Sequence, residues 1–495
     1  MPSYQCPGVY VEEVSSGSKP ISSVSTAIAG IVGNTYGGTA EKPIFISSFK
    51  DYENAFGPVT ESDDVVGNYV QAFYNNGGGS AYVVSANVVK KASAVLNNGG
   101  KDFLKIDAAD FGKETAAVTV IFYTATPEGG GPDQVMVKVG TNEAAPVEDT
   151  AGVLGFTASL NQILAPENLI ATLLTNDLDE VISFLPDDAA NTTARLTVSG
   201  GADALSNTIP AGESESPKTK KFTDCLDLLE KIDIVTMLML PEVALSSTLT
   251  SNPVYAAAIA QCEKLMDRMI FIDPPSGTEL GAGSAIPINS SYAVLYYPWV
   301  KVSSAVSVAP SAFAAGVWSK VDQRRGVWKA PAGLETGLTG VNSFEFDVNN
   351  AQQANLNPEG INVLRKAGGT PVVWGARTLA SASNPEWRYI PVRRTFMMVE
   401  ESLREGIQWA VFEPNSQNLW QALKLNISSY LNGLWRAGAF QGGTADQAYF
   451  VRCGLDATMT QAEIDEGKVI IEVGFAPLKP AEFVIIKIQQ KVNQL

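Results

Sequence analysis

The chain has 495 residues, 45% hydrophobic and 18% charged, with 35 Lys and Arg against 52 Asp and Glu and no histidine. That length exceeds one ordinary core and predicts two to four domains, or one core with a large insertion. A formal charge of −17 disfavours nucleic acid and anionic membranes as partners, and the missing imidazole excludes His-based metal sites, Ser-His-Asp and Cys-His pairs and histidine general bases.

The first segment, "MPSYQCPGVYVEEV", has neither a basic n-region nor an apolar h-region, so no signal peptide is expected. Its "VYVEEV" reads as a short strand behind Pro7-Gly8. "AIAGIVG" is a compact apolar strand between glycines, and "IFISSFKDYENAFG" a strand plus a short helix with Ser48 as cap and Gly57 as stop. Val65 or Val66, Tyr69 and Phe73 follow at helical spacing before the strand "AYVVSA".

From 91 to 218 turn signals recur at short intervals ("TATPEGGGPDQ", "PDDAANTT"), which predicts a mainly β insertion with one helix through "PENLIATLL" and a linker at 213–221. Beyond it strands and helices alternate. "IDIVTMLMLP", "MIFIDPP" and "YAVLYYPWVKV" are strands. A helix capped by Asn252 with Pro253 behind it presents Tyr255, Ile259, Cys262 and Met266, and a helix from Ser311 carries Phe313, Val317 and Val321. Such alternation predicts an α/β layer with a largely parallel sheet. The last part is expected to hold "PVVWGARTL" and "WRYIPVRRTFMMVE" as strands, then helices over 399–412 and 416–436 with Asn415 as a cap between them. Thr460 and Glu463 make a capping box, and "KVIIEVGFAP" and "EFVIIKIQQ" are two closing strands. The second helix carries Trp420, Leu423, Ile427, Leu431 and Leu434 as a core stripe.

Charge is unevenly spread. Residues 91–220 hold 8 basic against 18 acidic side chains, and residues 361–495 hold 14 against 12, which makes the middle acidic and the C-terminal part close to neutral. Cys6, Cys225, Cys262 and Cys453 are scattered, a pattern of neither zinc site nor disulfide framework and one that suits a reducing cytoplasm. No run of about 18 apolar residues suggests a membrane span.

Positive signs of chemistry are few. "GAGSAI" and "GLETGLTG" match no phosphate-binding pattern, and Asp187-Asp188 and Glu400-Glu401 read as solvated surface. The doublets in "QRRG" and "VRRT" read as structural ion pairs, or as contacts to an acidic partner. The two ends are more informative. Strand-like "VYVEEV" and "EFVIIKIQQ" both sit beyond Pro-containing hinges, and each either pairs within the molecule or adds a strand to a neighbour's sheet.

Taken in order, "PGVYVEEV" with "PI", "FG" at 56–57, "FYNNGGGSAYVV", "RRGVWKAPAG", "GIN" at 360–362, "VWGARTL", "WRYIPVRR", "WAVFEPN" and "LKPAEFVIIKIQQ" resemble the tail sheath protein of contractile injection systems. That group comprises contractile phage tails, tailocins and extracellular injection particles. The resemblance covers roughly 1–90 and 222–495. It implies an α/β and α+β multidomain fold with a subtilisin-like α/β layer that has no catalytic triad, a mainly β outer insertion, and extended terminal arms. The implied divisions are 1–20 (N-terminal arm), 21–90 (first part of the core), 91–218 (variable insertion), 219–370 (subtilisin-like domain), 371–478 (tube-facing domain) and 479–495 (C-terminal arm).

The resemblance further implies a structural subunit, not an enzyme, with no cofactor or metal. Such a subunit stacks in six-membered rings around an inner tube and contracts from a metastable extended lattice. Its partners would be other copies or sheath paralogues, the inner tube protein, and baseplate and terminal cap proteins, all assembled in the bacterial cytoplasm. The arm strands would be Val9, Tyr10, Val11, Glu12 and Val14 at the front and Phe483, Val484, Ile485, Ile486, Lys487 and Ile488 at the back. Lys424 and Arg436 are candidates for contact with the tube. Two rivals are a surface-layer or filament protein, which would lack a tube partner, and a serine-type hydrolase on the α/β layer.

Overall fold

The computed structural model describes residues 19–59, 64–88, 217–245 and 252–483 (without 282, 283, 285 and 381), together with eight short stretches between 93 and 198. The arm residues Val9 to Val14 and Val484 to Ile488, and Asp187-Asp188, lie outside the described residues.

The chain enters one large sheet through β1 (Ile28–Thr35), β2 (Pro43–Ile46) and β3 (Ser80–Val88). Two helices, Phe49–Phe56 and Val65–Asn75, join β2 to β3. Ser48 caps the first through the Asp51 amide, as its spacing predicts, and Val66, Tyr69 and Phe73 are buried along the second. Between 93 and 198 the chain makes β4 (Ser93–Asn98), β5 (Lys101–Ala108), β6 (Val118–Ala125), β7 (Gln134–Val139), β8 (Ala145–Pro146), β9 (Leu169–Leu173) and β10 (Arg195–Val198). They pair antiparallel in two small sheets, β4-β5-β9 and β10-β6-β7-β8. The helix expected through "PENLIATLL" is instead β9: its leucines suit a helix and its Ile170 and Thr172 a strand, and pairing with β5 decides between them.

The main sheet continues with β11 (Met237–Met239), β12 (Met269–Ile272) and β13 (Ala293–Tyr297). After β14 (Val300–Lys301), β15 (Ser307–Val308) and β16 (Ser343–Phe344), which form a separate ribbon, it ends with β17 (Ile361–Ala367) and β18 (Thr370–Val373). Its order is β18-β17-β13-β12-β11-β1-β3-β2. The six inner strands are parallel, and one antiparallel strand closes each edge.

Helices cover both faces. A side chain at Gly30 would strike Leu229 and Val235, whereas one at Gly33 would strike Val66, so residues of opposite parity on β1 meet different helices. Pro217–Glu230 and Pro253–Leu265 lie on one side, tied by Gln261 to the Leu226 carbonyl and by Lys264 to Glu230. Val65–Asn75 and Pro310–Arg325 lie on the other and approach so closely that a Cβ at Gly316 would sit 2.5 Å from the Phe73 carbonyl oxygen. The stretch read as a linker at 213–221 is helical from Pro217, because a proline suits the first turn. Met266 leaves the predicted apolar face: it caps its helix in the left-handed region and is half exposed.

Two long helices, Ile390–Gly406 and Gln417–Arg436, build a second core with Ile21, Met398, Ile427, Leu431 and Phe440. "WRYIPVRRTFMMVE" is therefore helix and not strand. Pro391 fixes the first turn, and packing buries the first half of the helix on all sides, Ile390 to Thr395 and then Met397, Met398 and Val399. The cap of the second helix is Ser416. Asn415 instead accepts from Trp420 Nε1 at 2.7 Å and donates to the Lys468 carbonyl. A small sheet, β19 (Tyr449–Arg452) with β20 (Glu472–Phe475), packs on these helices, and Thr460 with Glu463 forms the expected capping box. Among the described residues no helix is long and apolar enough to cross a membrane.

Two carboxyls are buried in the sheet domain without a basic partner among the described residues. Burial holds Glu242 at about 8, against an accepted hydrogen bond from the Asn34 amide. Burial likewise holds Asp273 at about 7, against two bonds from Ser311. Asp64, Tyr52 and Asn34 surround the first, and Ser311, Tyr69 and Tyr255 the second. Both folded values lie above the unfolded ones, so the native state binds the extra protons between about pH 4 and 8. Stability is greatest below that window and falls as pH rises through it, by up to about 1.4 kcal/mol per unit for each group. A urea midpoint that declines from pH 5 to 8, with a shallower slope in Glu242→Gln, is expected. Identical slopes in the two proteins would refute this assignment.

Candidate assembly surface

In an open parallel sheet a ligand crevice normally opens where strand order reverses, at the carboxyl ends of the strands. Here the reversal lies between β1 and β11, and it is filled by the protein itself. Glu242 follows β11, is 2% exposed, and accepts from the Asn34 amide at 2.7 Å. A Cβ at Gly33 would meet Val66 at 2.5 Å and Glu242 at 3.2 Å. Asp273, just past β12, accepts from Ser311 in the first turn of the 310–325 helix, and Ser311 also bonds Tyr69 yet is 1% exposed. A nucleophile so placed meets no substrate.

The surface features cluster instead around the two long C-terminal helices. At the start of the 390–406 helix, Arg377 grips Glu482 with two parallel bonds, Nε to Oε1 at 2.8 Å and Nη2 to Oε2 at 2.5 Å. Tyr389 donates to the same carboxylate at 3.3 Å. Arg377 is itself held: its amide donates to Asn362 Oδ1, its carbonyl accepts from Asn362 Nδ2, and its Nη1 reaches the Asn357 carbonyl. The arginine side chain is 9% exposed and the glutamate 16%. A bidentate, largely dry pair of this kind fixes the point from which residues beyond Phe483 depart. Phe483 itself is 74% exposed.

The opposite end of that helix anchors the N-terminal segment. Lys19 lies over the Trp409 ring at 4.3 Å, Ile21 packs on Gly406, and the Val24 amide donates to Ser402 Oγ. Thr26 then joins a buried ion pair. Its hydroxyl donates to Asp322, and its carbonyl accepts from Arg394, which bonds both Asp322 oxygens at 2.9 and 2.6 Å. The two roots are separated by a helix of about 25 Å. Near them, β19 and β20 form a sheet of only two strands among the described residues. Such a ribbon is marginal alone and offers its outer edges for pairing.

Of the residues expected to face the tube, Lys424 is half-buried and acts electrostatically on Cys453, and Arg436 is exposed in the last turn. Twelve residues place them about 18 Å apart and a third of a turn out of line. The arginine doublets divide. Arg394 is in the Asp322 pair, Arg393 stacks between Trp387 and Tyr292, and Arg325 pairs with Glu335 at the surface. Glu401 pairs with Arg404 on the surface. The Arg377–Glu482 clamp escapes sequence reasoning: "WGARTL" and "PAEF" both stand out as motifs, but nothing local couples residues 105 positions apart.

Residues 216–379 match the family described as phage tail sheath protein central domain, and residues 382–491 match the phage tail sheath C-terminal domain. Together these span more than half of the chain. The tail sheath protein of Burkholderia phage BcepMu is 27% identical over 457 residues, 88% of this chain and 87% of that one. The helical sheath of the anti-feeding prophage in its contracted state superposes with a TM-score of 0.60 at 27% identity, covering 99% of this chain and 100% of that one. The contracted sheath complex of the PVC extracellular contractile injection system does so with 0.59 at 25%, covering 99% of each chain. These are structural sheath proteins and not enzymes. This chain belongs to the tail sheath proteins of contractile systems.

Proposed function

We propose that the chain polymerises as stacked six-membered rings around an inner tube, with its terminal arms completing small sheets on neighbouring copies. The observation that carries this reading is the placement of the two roots. Lys19 and Glu482 sit at opposite ends of the 390–406 helix, so arms leaving them reach different neighbours. The two-stranded β19-β20 sheet is the natural recipient. A head-to-tail contact of this sort generates an open helical assembly. Contraction is then a rigid-body rearrangement out of a kinetically trapped extended lattice, with the arms holding copies together.

In this arrangement the main α/β layer is the subtilisin-like part, the acidic stretch 91–218 faces outward, and 371–478 faces the tube. Lys424 and Arg436 contribute separate contacts to the tube, and the baseplate and terminal cap bind the ends of the polymer. Negative-stain micrographs of the purified full-length chain, alone and with its tube protein, test the reading. Striated tubes are expected, wrapped around a core when tube protein is present. A chain that stays dispersed at high concentration in both cases would refute it, and sheets without a core would favour a surface layer.

A further inference from the structure

The loop between the two long helices presents a side chain that no described residue of its own subunit covers. Val411 is 63% exposed and Phe412 102%. Phe412 is also held at φ 68°, a left-handed conformation that disfavours a bulky side chain. A tight chain of amide bonds maintains it: Ala410 to Ile407, Val411 to Gln408 and Glu413 to Ala410. An aromatic ring displayed in a strained turn, with no compensating contact among the described residues, points to a contact made elsewhere.

At the other end of the same helical hairpin lies an open cavity of about 810 Å³. Trp328 and Trp374 supply aromatic wall, and Ala437 and Gly438, just past the 417–436 helix, close its base. Four cations and one carboxylate line it: Arg325 pairs with Glu335 and Glu482 with Arg377, whereas Lys329, Arg365 and Lys479 have no ion pair among the described residues. The Nε of Arg365 is buried without a hydrogen-bond partner. Phe412 is followed by Glu413, an exposed carboxylate that makes no ion pair among the described residues. Apolar ring and acid on the loop thus complement aromatic wall and cations in the cavity.

We propose that the Val411-Phe412-Glu413 loop of one copy seats in the Trp328–Trp374 cavity of a second copy. The inference rests on the sheath reading and adds the body-to-body contact to it. Loop and cavity lie about 25–30 Å apart at opposite ends of a helical hairpin, so the loop cannot fill its own cavity. The contact is heterologous and propagates without closing on itself. It also delivers the N-terminal root of one copy, at Trp409, to the C-terminal root of the next, at Glu482.

The test compares full-length wild type with Phe412→Gly, Phe412→Leu and Trp374→Ala. Glycine adopts φ 68° freely, so Phe412→Gly should melt at or above the wild-type temperature as a dispersed subunit. Its critical concentration for tube formation should nonetheless rise tenfold or more. Phe412→Leu should rise less. Trp374→Ala should rise similarly to Phe412→Gly, and the double variant should be no worse than the weaker single variant if the two side chains share one contact. If Phe412→Gly polymerises at the wild-type concentration, the loop contact is overturned while the sheath reading stands. If only Trp374→Ala is impaired, the cavity holds another segment, such as 484–495, and the proposal is again overturned. If wild type forms no tubes, the sheath reading fails and takes this contact with it.

Discussion

Removing residues 484–495 is expected to leave a folded subunit that no longer polymerises. The cut falls after Glu482, so the Arg377 clamp survives and no buried guanidinium is left unpaired. What is lost is the apolar run Val484, Ile485, Ile486 and Ile488, which in the proposed arm exchange would contribute on the order of 6–12 kcal/mol gross on a neighbour's sheet before ordering costs. Light scattering and electron microscopy should find dispersed protein at concentrations where wild type forms tubes, with an unchanged thermal midpoint. Normal tubes from the truncated chain would refute arm exchange at this end. A lowered midpoint would place the segment within its own subunit.

The second large effect is expected at Arg394. Its side chain is 4% exposed, donates to both oxygens of Asp322, and lies 4.2 Å over the Trp318 ring. It also holds the Thr26 carbonyl, so one side chain joins the N-terminal segment, the 310–325 helix and the 390–406 helix. Arg394→Ala strands Asp322 as a buried charge and should cost roughly 3–5 kcal/mol, read as a lower urea midpoint. Replacing both partners by apolar residues of similar volume should recover much of that loss, because the penalty comes from the orphaned charge. A midpoint unchanged in the single variant would show that water reaches Asp322 and that the three elements are joined by packing alone.

The two experiments probe different levels of one design. Arg394 and the second core hold a rigid body together. In the proposed assembly the ends and the exposed loop act between bodies. A sheath that contracts needs this separation, since bodies must move relative to one another without unfolding.

Much of the local structure is legible in the sequence. Ser48, Asn252 and Thr460 act as caps because a side-chain oxygen two or three residues before a free amide is a local arrangement. Met237 to Met239, Met269 to Ile272 and Ala293 to Tyr297 are strands because apolar runs of that length bury both faces of a parallel sheet. The absent histidine removed whole classes of chemistry without any structure. Other features needed the tertiary structure. "WRYIPVRRTFMMVE" is rich in strand formers, and only packing against the 417–436 helix and the sheet core makes it a helix. "PENLIATLL" lacks a decisive local preference and follows β5. The Arg377–Glu482 and Arg394–Asp322 pairs, the filled crevice at Glu242 and the exposed Phe412 join or expose residues far apart in the chain. Local periodicity carries the identity of an element. Which elements meet is decided by burial and charge pairing across hundreds of residues, where sequence spacing carries no signal.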